Sequence, residues 1–378
     1  MTDSERFVGS KPVPRSPDRP EDPLTADQVF WRPPRFPDFL SCFPQKRALY
    51  AVDNYFVAGW ATLTALRRQG AFALGRLWTL GSVLFKADTM LRGNGLRGTS
   101  FLEERGFQIR AVRAVVFSTE LVEHFWRYSL GRLSRERIEL LKRLQAVSPS
   151  LYLIVESAED NSRLPCSLRL TELKGQTVLA NRGAGTLRHM MGDPQSAFFN
   201  FVHTADEPAD LVRELGLLFN ESEREAVIRD VISGSKPDAE GIYGALTSQC
   251  PRSDLDFSRA VERLRDRVAS ANALSDGERA DIYEAMHRLE GIGYEFWRYL
   301  RDGLSARGIQ IDEMDDITIA GRLVALKQAN QTAPFPSCEA RHWENHNPSL
   351  EHDPPAASEF ADRHDGTNDG WWRSARGS

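Results

Sequence analysis

Cysteine is scarce: the 378 residues hold four, Cys42, Cys166, Cys250 and Cys338, far apart in the chain. No pair stands at a disulfide-framework or metal-ligand spacing, which points to a reducing compartment, and a cytoplasmic location is expected. An excess of one charge is also missing. Lys and Arg number 48 against 53 Asp and Glu, a net charge of −5, so the balance gives no support for a general nucleic-acid or membrane-surface binder. Long apolar runs are absent too. The most apolar stretch, Ala48 to Leu66, carries Asp53 and Asn54 near its middle. Leu49, Val52, Phe56, Leu63 and Leu66 fall near one helical face, as in a core or partner-facing helix rather than a membrane span. The polar, proline-rich start does not read as a secretory signal. Internal repetition is limited to His124–Tyr128 and Glu295–Tyr299, which share Phe-Trp-Arg-Tyr, and is read as chance.

What is present divides the chain. Residues 1–26, with five prolines among charges, are expected to be disordered. Residues 27–77 form an N-terminal extension, aromatic and proline-broken at first, with a helix from about Lys46 to Gln69. Strands are expected over 79–85, 107–117 and 152–155, helices over 119–130 and 134–146, and a short helix over Pro165–Lys174 with proline in its first turn. Residues 236–330 read as helical, with Phe257, Val261, Leu264 and Val268 marking one helix. A capping box at Ser275-Asp-Gly-Glu278 opens a long amphipathic one. A polar tail, 331–378, is expected to be disordered, its four histidines solvated.

The rest is organised around residues 185–219. Apolar residues dominate 197–202, as in a buried strand. Asp206-Glu207-Pro208 then reads as a helix start, and Leu211, Val212, Leu215, Leu218 and Phe219 recur at helical spacing. His203 therefore sits where a strand ends, one short turn before a helix N-terminus. Free N–H groups and the helix dipole favour an anion there. A histidine after an apolar run is by itself an ordinary core or loop residue. What sets this one apart is Arg188 upstream, Asn200 three residues before it and Glu214 eleven after it.

Gly-Thr-Leu-Arg188, then Asn200-Phe-Val-His203-x-x-Asp206, then Arg-Glu214-Leu-x-Leu-Leu-Phe resembles the active-site segment of nucleoside diphosphate kinases. A second match runs without gap from Lys86-Ala-Asp-Thr-Met-Leu-Arg92-Gly to Gly106-Phe107, and Gly175-Gln-Thr177 lies at the expected separation before Gly185. Gly93-Asn-Gly95-Leu-Arg-Gly98 also spells the dinucleotide fingerprint. Six residues separate it from the end of the strand at Lys86, where a Rossmann turn would follow the strand directly.

The resemblance implies a ferredoxin-like α/β (α+β) fold over 78–232, an antiparallel four-stranded sheet with helices on one face, flanked by the two helical extensions. It implies γ-phosphoryl transfer from a nucleoside triphosphate such as ATP to a diphosphate through a phosphohistidine at His203, with Mg²⁺ bound through the phosphates. Glu214 would fix the imidazole tautomer. Lys86, Arg92 and Arg188 would hold phosphates or ribose, Thr177 and Asn200 would supply polar contacts, and Phe125 stands where the family has a tyrosine. Imidazole suits this chemistry because it is nucleophilic near neutral pH and leaves well once phosphorylated. The departures are Ala87 for a proline, Thr89 for a glycine, Ala205 for a supporting serine and Thr171 for a phosphate-binding arginine, with Arg169 a candidate substitute. Two other roles stay open: a nucleotide-binding sensor without turnover, and a protein-interaction module. Assembly as a homo-oligomer or onto a partner protein through the helical extensions is expected, with Ala48–Leu66 packed on the C-terminal helices or a second subunit.

Overall fold

The run Leu80–Phe85 forms β1, buried along its whole length. It pairs antiparallel with β3 (Ser150–Ser157) on one side and β4 (Val202–Thr204) on the other. β2 (Phe107–Val115) pairs with β3, giving the order β2-β3-β1-β4. That order, all antiparallel, is the ferredoxin-like arrangement expected. The computed structural model describes residues 36–158, 163–192, 196–325, 334–344 and 346, so the expectation for 1–26 and most of that for 331–378 lie outside the described residues.

Successive strand residues point to opposite faces, and both faces are covered. Ser82 and Tyr152 donate hydrogen bonds to Glu214 of α9, Pro208–Leu218. On the other face Gly81 lies under Leu170 and Cys166 of α7, Cys166–Lys174, and Phe85 lies against Gly98 of α4, Gly95–Glu104. Helices thus cover the sheet from both sides, not one as expected, because a central strand apolar on both faces needs two covers.

The N-terminal extension supplies part of the second layer. Its expected single helix is two, α1 (Pro44–Ala51) and α2 (Asn54–Arg68). They break where the Asp53 carboxylate accepts the N–H of Tyr55 at 2.9 Å and of Phe56 at 3.2 Å, a helix N-cap. α2 packs on α9 rather than on the C-terminal helices. The approach is backbone to backbone, since a Cβ on Gly59 would stand 2.0 Å from Val212 O, and one on Gly216 1.8 Å from Tyr55 O.

The expected strand over 197–202 shortens to β4. Phe198, Phe199 and Phe201 are buried, but Phe201 takes φ +55°, which ends any extended run. The long helix expected from Ser275 breaks at Gly293, φ +91°, into Asp276–His287, a short turn and Tyr294–Ala306. These helices, with Phe257–Ser270 and Glu313–Leu323, share one buried core with Val83 and Phe85 of the sheet. Trp297 is fully buried and its indole donates to Asp316 at 2.8 Å, whereas Trp126 is only partly covered and stacks on Phe117. The shared Phe-Trp-Arg-Tyr therefore serves two unrelated environments.

Residues 334–344 and 346 are corrected from the expected disordered tail. Trp343 is 1% exposed and meets Trp78 edge to face, and His346 Nε2 lies 2.8 Å from Asp38 O. Trp343, with Phe335 against Tyr50 and Tyr128 and His342 against Phe43, seats this polar segment. Among the described residues, no helix is long and apolar enough to cross a membrane.

Candidate active site

The site is assembled where β1 ends. Lys86 N–H and the Thr89 hydroxyl both donate to Phe201 O, at 2.9 and 2.8 Å, and Phe201 N–H donates to Asp88 Oδ2 at 2.8 Å. The β1–α3 turn (α3, Ala87–Arg92) thereby clamps both sides of a phenylalanine held at positive φ, with Val202 N–H bridging back to Asn200 O at 2.6 Å. A bulky residue keeps that conformation only when its surroundings impose it. Here the imposed bend presents His203 two residues later. Thr89, a departure from the family pattern, supplies one of the clamping bonds.

His203 pairs with Leu84 across β1/β4 and lies on the edge strand. Its Nε2 is 2.8 Å from Glu214 Oε1. A carboxylate accepts, so Nε2 carries the proton and Nδ1 offers its lone pair. Glu214 is itself fixed, because its other oxygen takes the hydroxyls of Ser82 and Tyr152. Phe125, buried, meets the imidazole edge to face at 4.9 Å, and Trp126 does so at 6.1 Å. The sequence-assigned nucleotide contact Phe125 is thus a wall of the histidine's own pocket.

Around this histidine the buried cations outnumber the anions, Asp88 and Asp206, that act on them. Arg188 gives all its hydrogen bonds to neutral oxygens: Asn200 O at 3.2 Å, Gly175 O, Thr177 Oγ1 and Val202 O at 2.9 Å each. Burial, followed by Arg182 nearby, pushes Arg188 down to about 10. Lys86 is 2% exposed and touches Asp88 only at 3.4 Å. Burial, with Arg188 and Arg137 as further cations, lowers it below the ordinary lysine value against the pull of Asp88. Arg137 on α6, Arg135–Val147, is pushed down to about 10 by burial. Its Nη2 donates to Ala197 O at 2.9 Å, while Nη1 has no partner among the described residues. Arg92 stands over the Phe201 ring at 5.7 Å, and its Nη1 is likewise buried and unpartnered. Buried positive charge left unpaired is costly, and a polyanion entering would relieve it.

Lys86, Arg188, Thr177 and Asn200 are therefore brought together, Asn200 through its backbone carbonyl. His203 and Glu214 pair as expected, and Arg92 joins through Phe201. Arg169 does not replace the missing arginine. Its guanidinium is engaged by the Ser157 hydroxyl and stands over Phe107 at 5.2 Å, at the far end of the sheet. Thr171 instead bonds Thr204 Oγ1 at 3.2 Å, Ala205 O at 3.3 Å and Asp206 Oδ1 at 2.9 Å. One turn on, Lys174 reaches the same Asp206 oxygen at 3.1 Å. Although burial alone would raise it, Lys174, with Lys46 and His203, holds the Asp206 carboxyl well below the usual carboxylate range. Arg137 and Lys174 were missed from the sequence. Each lies in a charged stretch of helix that reads as a solvated face, and only the tertiary packing buries it. The glycines of Gly93–Gly98 are packing residues, Gly95 under Tyr243 and Gly98 under Phe85, with no phosphate cradle.

A sequence profile described as nucleoside diphosphate kinase matches residues 81–224. Nucleoside diphosphate kinase of Methanothermobacter thermautotrophicus is 26% identical over 163 residues, 43% of this chain and 95% of the relative. That of Sorangium cellulosum is 27% identical over 137 residues, 36% and 87% of the two chains. Among solved structures, an NDP kinase from Pyrobaculum aerophilum is similar at 21% identity and a TM-score of 0.32, covering 38% of this chain and 97% of that one. The enzyme from Borrelia burgdorferi, solved with bound vanadate and ADP, gives the same identity and TM-score over 38% and 88%.

Proposed function

With residues 81–224 forming a nucleoside diphosphate kinase-like domain, we propose that the chain moves the γ-phosphoryl group of a nucleoside triphosphate to a nucleoside diphosphate through His203, in a reducing, cytoplasmic setting. The observation that carries this reading is the His203–Glu214 hydrogen bond beside buried Lys86, held by Asp88 only at 3.4 Å, and buried Arg188, bonded to neutral oxygens alone. A scaffold needs none of these groups, and each is costly to bury.

In the first half-reaction Nδ1 attacks the γ-phosphorus, the bond to the β-phosphate oxygen breaks, and the diphosphate leaves. A second diphosphate then takes the phosphoryl group by the reverse displacement. Glu214 holds the proton on Nε2 and stabilises the positive charge that grows on the ring. Lys86 and Arg188 stabilise the charge spread over the transferred group. The side chains fit a magnesium ion carried on the phosphates rather than in a protein cage. The surroundings are cationic, and Asp206 keeps Oδ2 clear of its bonds to Thr171 and Lys174. When bound, Mg²⁺ supplies further neutralisation of phosphate charge.

Thr171 and Ala205 remove one cationic donor and one hydroxyl, and loss of one such donor costs about 10²–10³ in rate, so slow turnover is expected. Incubation with γ-labelled ATP should yield an acid-labile phosphoprotein, abolished in His203→Gln. In Glu214→Gln the labelling rate should fall by about 10²-fold as the ring loses its orientation. ATP binding by calorimetry without phosphohistidine at saturating Mg-ATP would replace the enzyme by a nucleotide-binding sensor. Light scattering tests assembly as a homo-oligomer.

A further inference from the structure

The cysteines that the sequence leaves unpaired are not all apart. Cys42, just before α1, and Cys338, just before the helix Ala340–Glu344, bring their sulfurs to 3.9 Å across 296 residues of chain. Glu207 joins them, its Oε1 3.2 Å from Cys42 Sγ, and the three donor atoms lie within 4.8 Å of one another. We propose that Cys42, Cys338 and Glu207 form a binding site for a zinc-class divalent cation that clasps both ends of the described chain onto the N-terminus of α9.

The spacing is that of a tetrahedral thiolate site. Metal–sulfur bonds of about 2.3 Å put two thiolates about 3.8 Å apart, and a carboxylate oxygen at about 2.0 Å from the metal lies about 3.5 Å from each sulfur. The observed 3.9 Å between the sulfurs and 3.2 Å from Cys42 Sγ to Glu207 Oε1 lie within a few tenths of an ångström of those values, and Cys338 Sγ stands within 4.8 Å of the carboxylate. A disulfide would need the sulfurs at about 2.05 Å.

The surroundings are also those of ligands rather than of packed thiols. The Trp343 indole N–H donates to Cys338 Sγ at 3.1 Å. Glu207 is oriented from its far side, its Oε2 taking Ser41 Oγ at 2.9 Å and Lys46 Nζ at 2.8 Å, while Cys42 N–H reaches Oε1 at 2.8 Å. Such outer bonds fix ligand orientation in metal sites. Lys46, shared between Glu207 and Asp210, offsets part of the single negative charge that two thiolates and a carboxylate leave around a dication. Binding releases the two thiol protons to solvent. A pocket of about 340 Å³, lined by Thr171, Glu172, Gln176, Cys338 and Glu339, opens onto the Cys338 side of the cluster.

The placement gives the clasp a consequence. Glu207 follows Asp206, which bonds Thr171 and Lys174 beside His203, so the cation ties the two extensions to the rim of the active site. This inference rests on the cysteine–glutamate geometry alone and stands whether or not His203 is phosphorylated.

The test uses the reduced full chain, stripped with chelator and titrated with Co²⁺ and then Zn²⁺. One equivalent of Co²⁺ should give a thiolate-to-cobalt charge-transfer band with tetrahedral visible absorption, displaced by Zn²⁺. Zn²⁺ should raise the melting temperature. Cys42→Ser and Cys338→Ser, checked for native circular dichroism, should lose band and shift, and Cys166→Ser should keep both. Fluorescence of Trp343, read against Trp343→Phe, should change on binding in wild type only. A band that survives Cys42→Ser or Cys338→Ser, or no band in folded wild type, overturns the proposal. So does a chain purified under air whose mass shows a Cys42–Cys338 disulfide that reduction does not convert to a metal-binding form.

Discussion

Phe201 adopts a backbone conformation that phenylalanine takes only under constraint, and three residues of one turn supply the constraint. Thr89→Val keeps shape and removes the hydroxyl bond to Phe201 O. Stability should fall by about 1 kcal/mol. The phosphorylation rate of His203 should fall more than triphosphate affinity, read by rapid quench against calorimetry, because the bond positions the nucleophile and does not touch phosphate. Arg137→Met should do the opposite. Its orphaned Nη1 lies in the buried cationic cluster, so affinity for tripolyphosphate should weaken by about 10-fold, as for loss of one charge-assisted bond, while His203 stays bonded to Glu214. The two variants separate what was legible from what was not. His203, Glu214, Lys86 and Arg188 could be read from motif spacing. Arg137 could not, since nothing local distinguishes Arg135-Glu136-Arg137 from a solvated helix start.

At the scale of elements, the crossing of α2 on α9 carries the largest steric demand. Gly216→Ala or Gly59→Ala would drive a methyl into a carbonyl of the facing helix, and each should cost about 1–3 kcal/mol by forcing the helices apart. Urea denaturation should show a lower midpoint at unchanged slope. Gly244→Ala, in the exposed part of the helix Ala239–Thr247 where nothing lies within 4 Å, is the control. It should be neutral or stabilising by up to about 1 kcal/mol. Glu214 sits between Val212 and Gly216 of that contact, so Gly216→Ala should also slow phosphorylation. The buried face of α2 was legible in Phe56, Leu63 and Leu66, whereas Val52 of the same expected face falls at the break between α1 and α2 and is 68% exposed. The partner of α2 was not legible, because periodicity tells which face is buried and not against what. The same limit explains β4. Phe198-Phe-Asn-Phe reads as strand by apolarity, whereas hydrogen bonds from a distant turn bend it at Phe201.

Across the whole molecule, the N-terminal extension is tied to α9 by a buried ionic chain. Asp53 takes Arg213 Nε at 2.9 Å and Tyr128 OH at 2.8 Å, and Asp210 takes Lys46 Nζ and Tyr50 OH at 2.6 Å each. Burial alone would raise the Asp53 carboxyl, but Arg213 beside it, with the tyrosine and N-cap bonds, holds it below its ordinary value. Asp206 is lowered too, against burial, by Lys174, Lys46 and His203. So is Glu156, again against burial, by Arg76 and Arg110. A carboxyl whose folded value is depressed contributes stability that is full above the unfolded value, near about 4, and is lost as pH falls through the folded one. Stability should therefore hold from neutral pH down to about 5 and then decline steeply. Asp53→Asn leaves the Arg213 guanidinium buried beside a neutral amide, and breaking such a pair from one side costs about 3–5 kcal/mol. The variant should be less stable at pH 7, and its acid decline shallower than wild type, because one of the groups that drives the decline no longer titrates. Parallel acid profiles for wild type and Asp53→Asn would show that the extension is not held by this chain of charges.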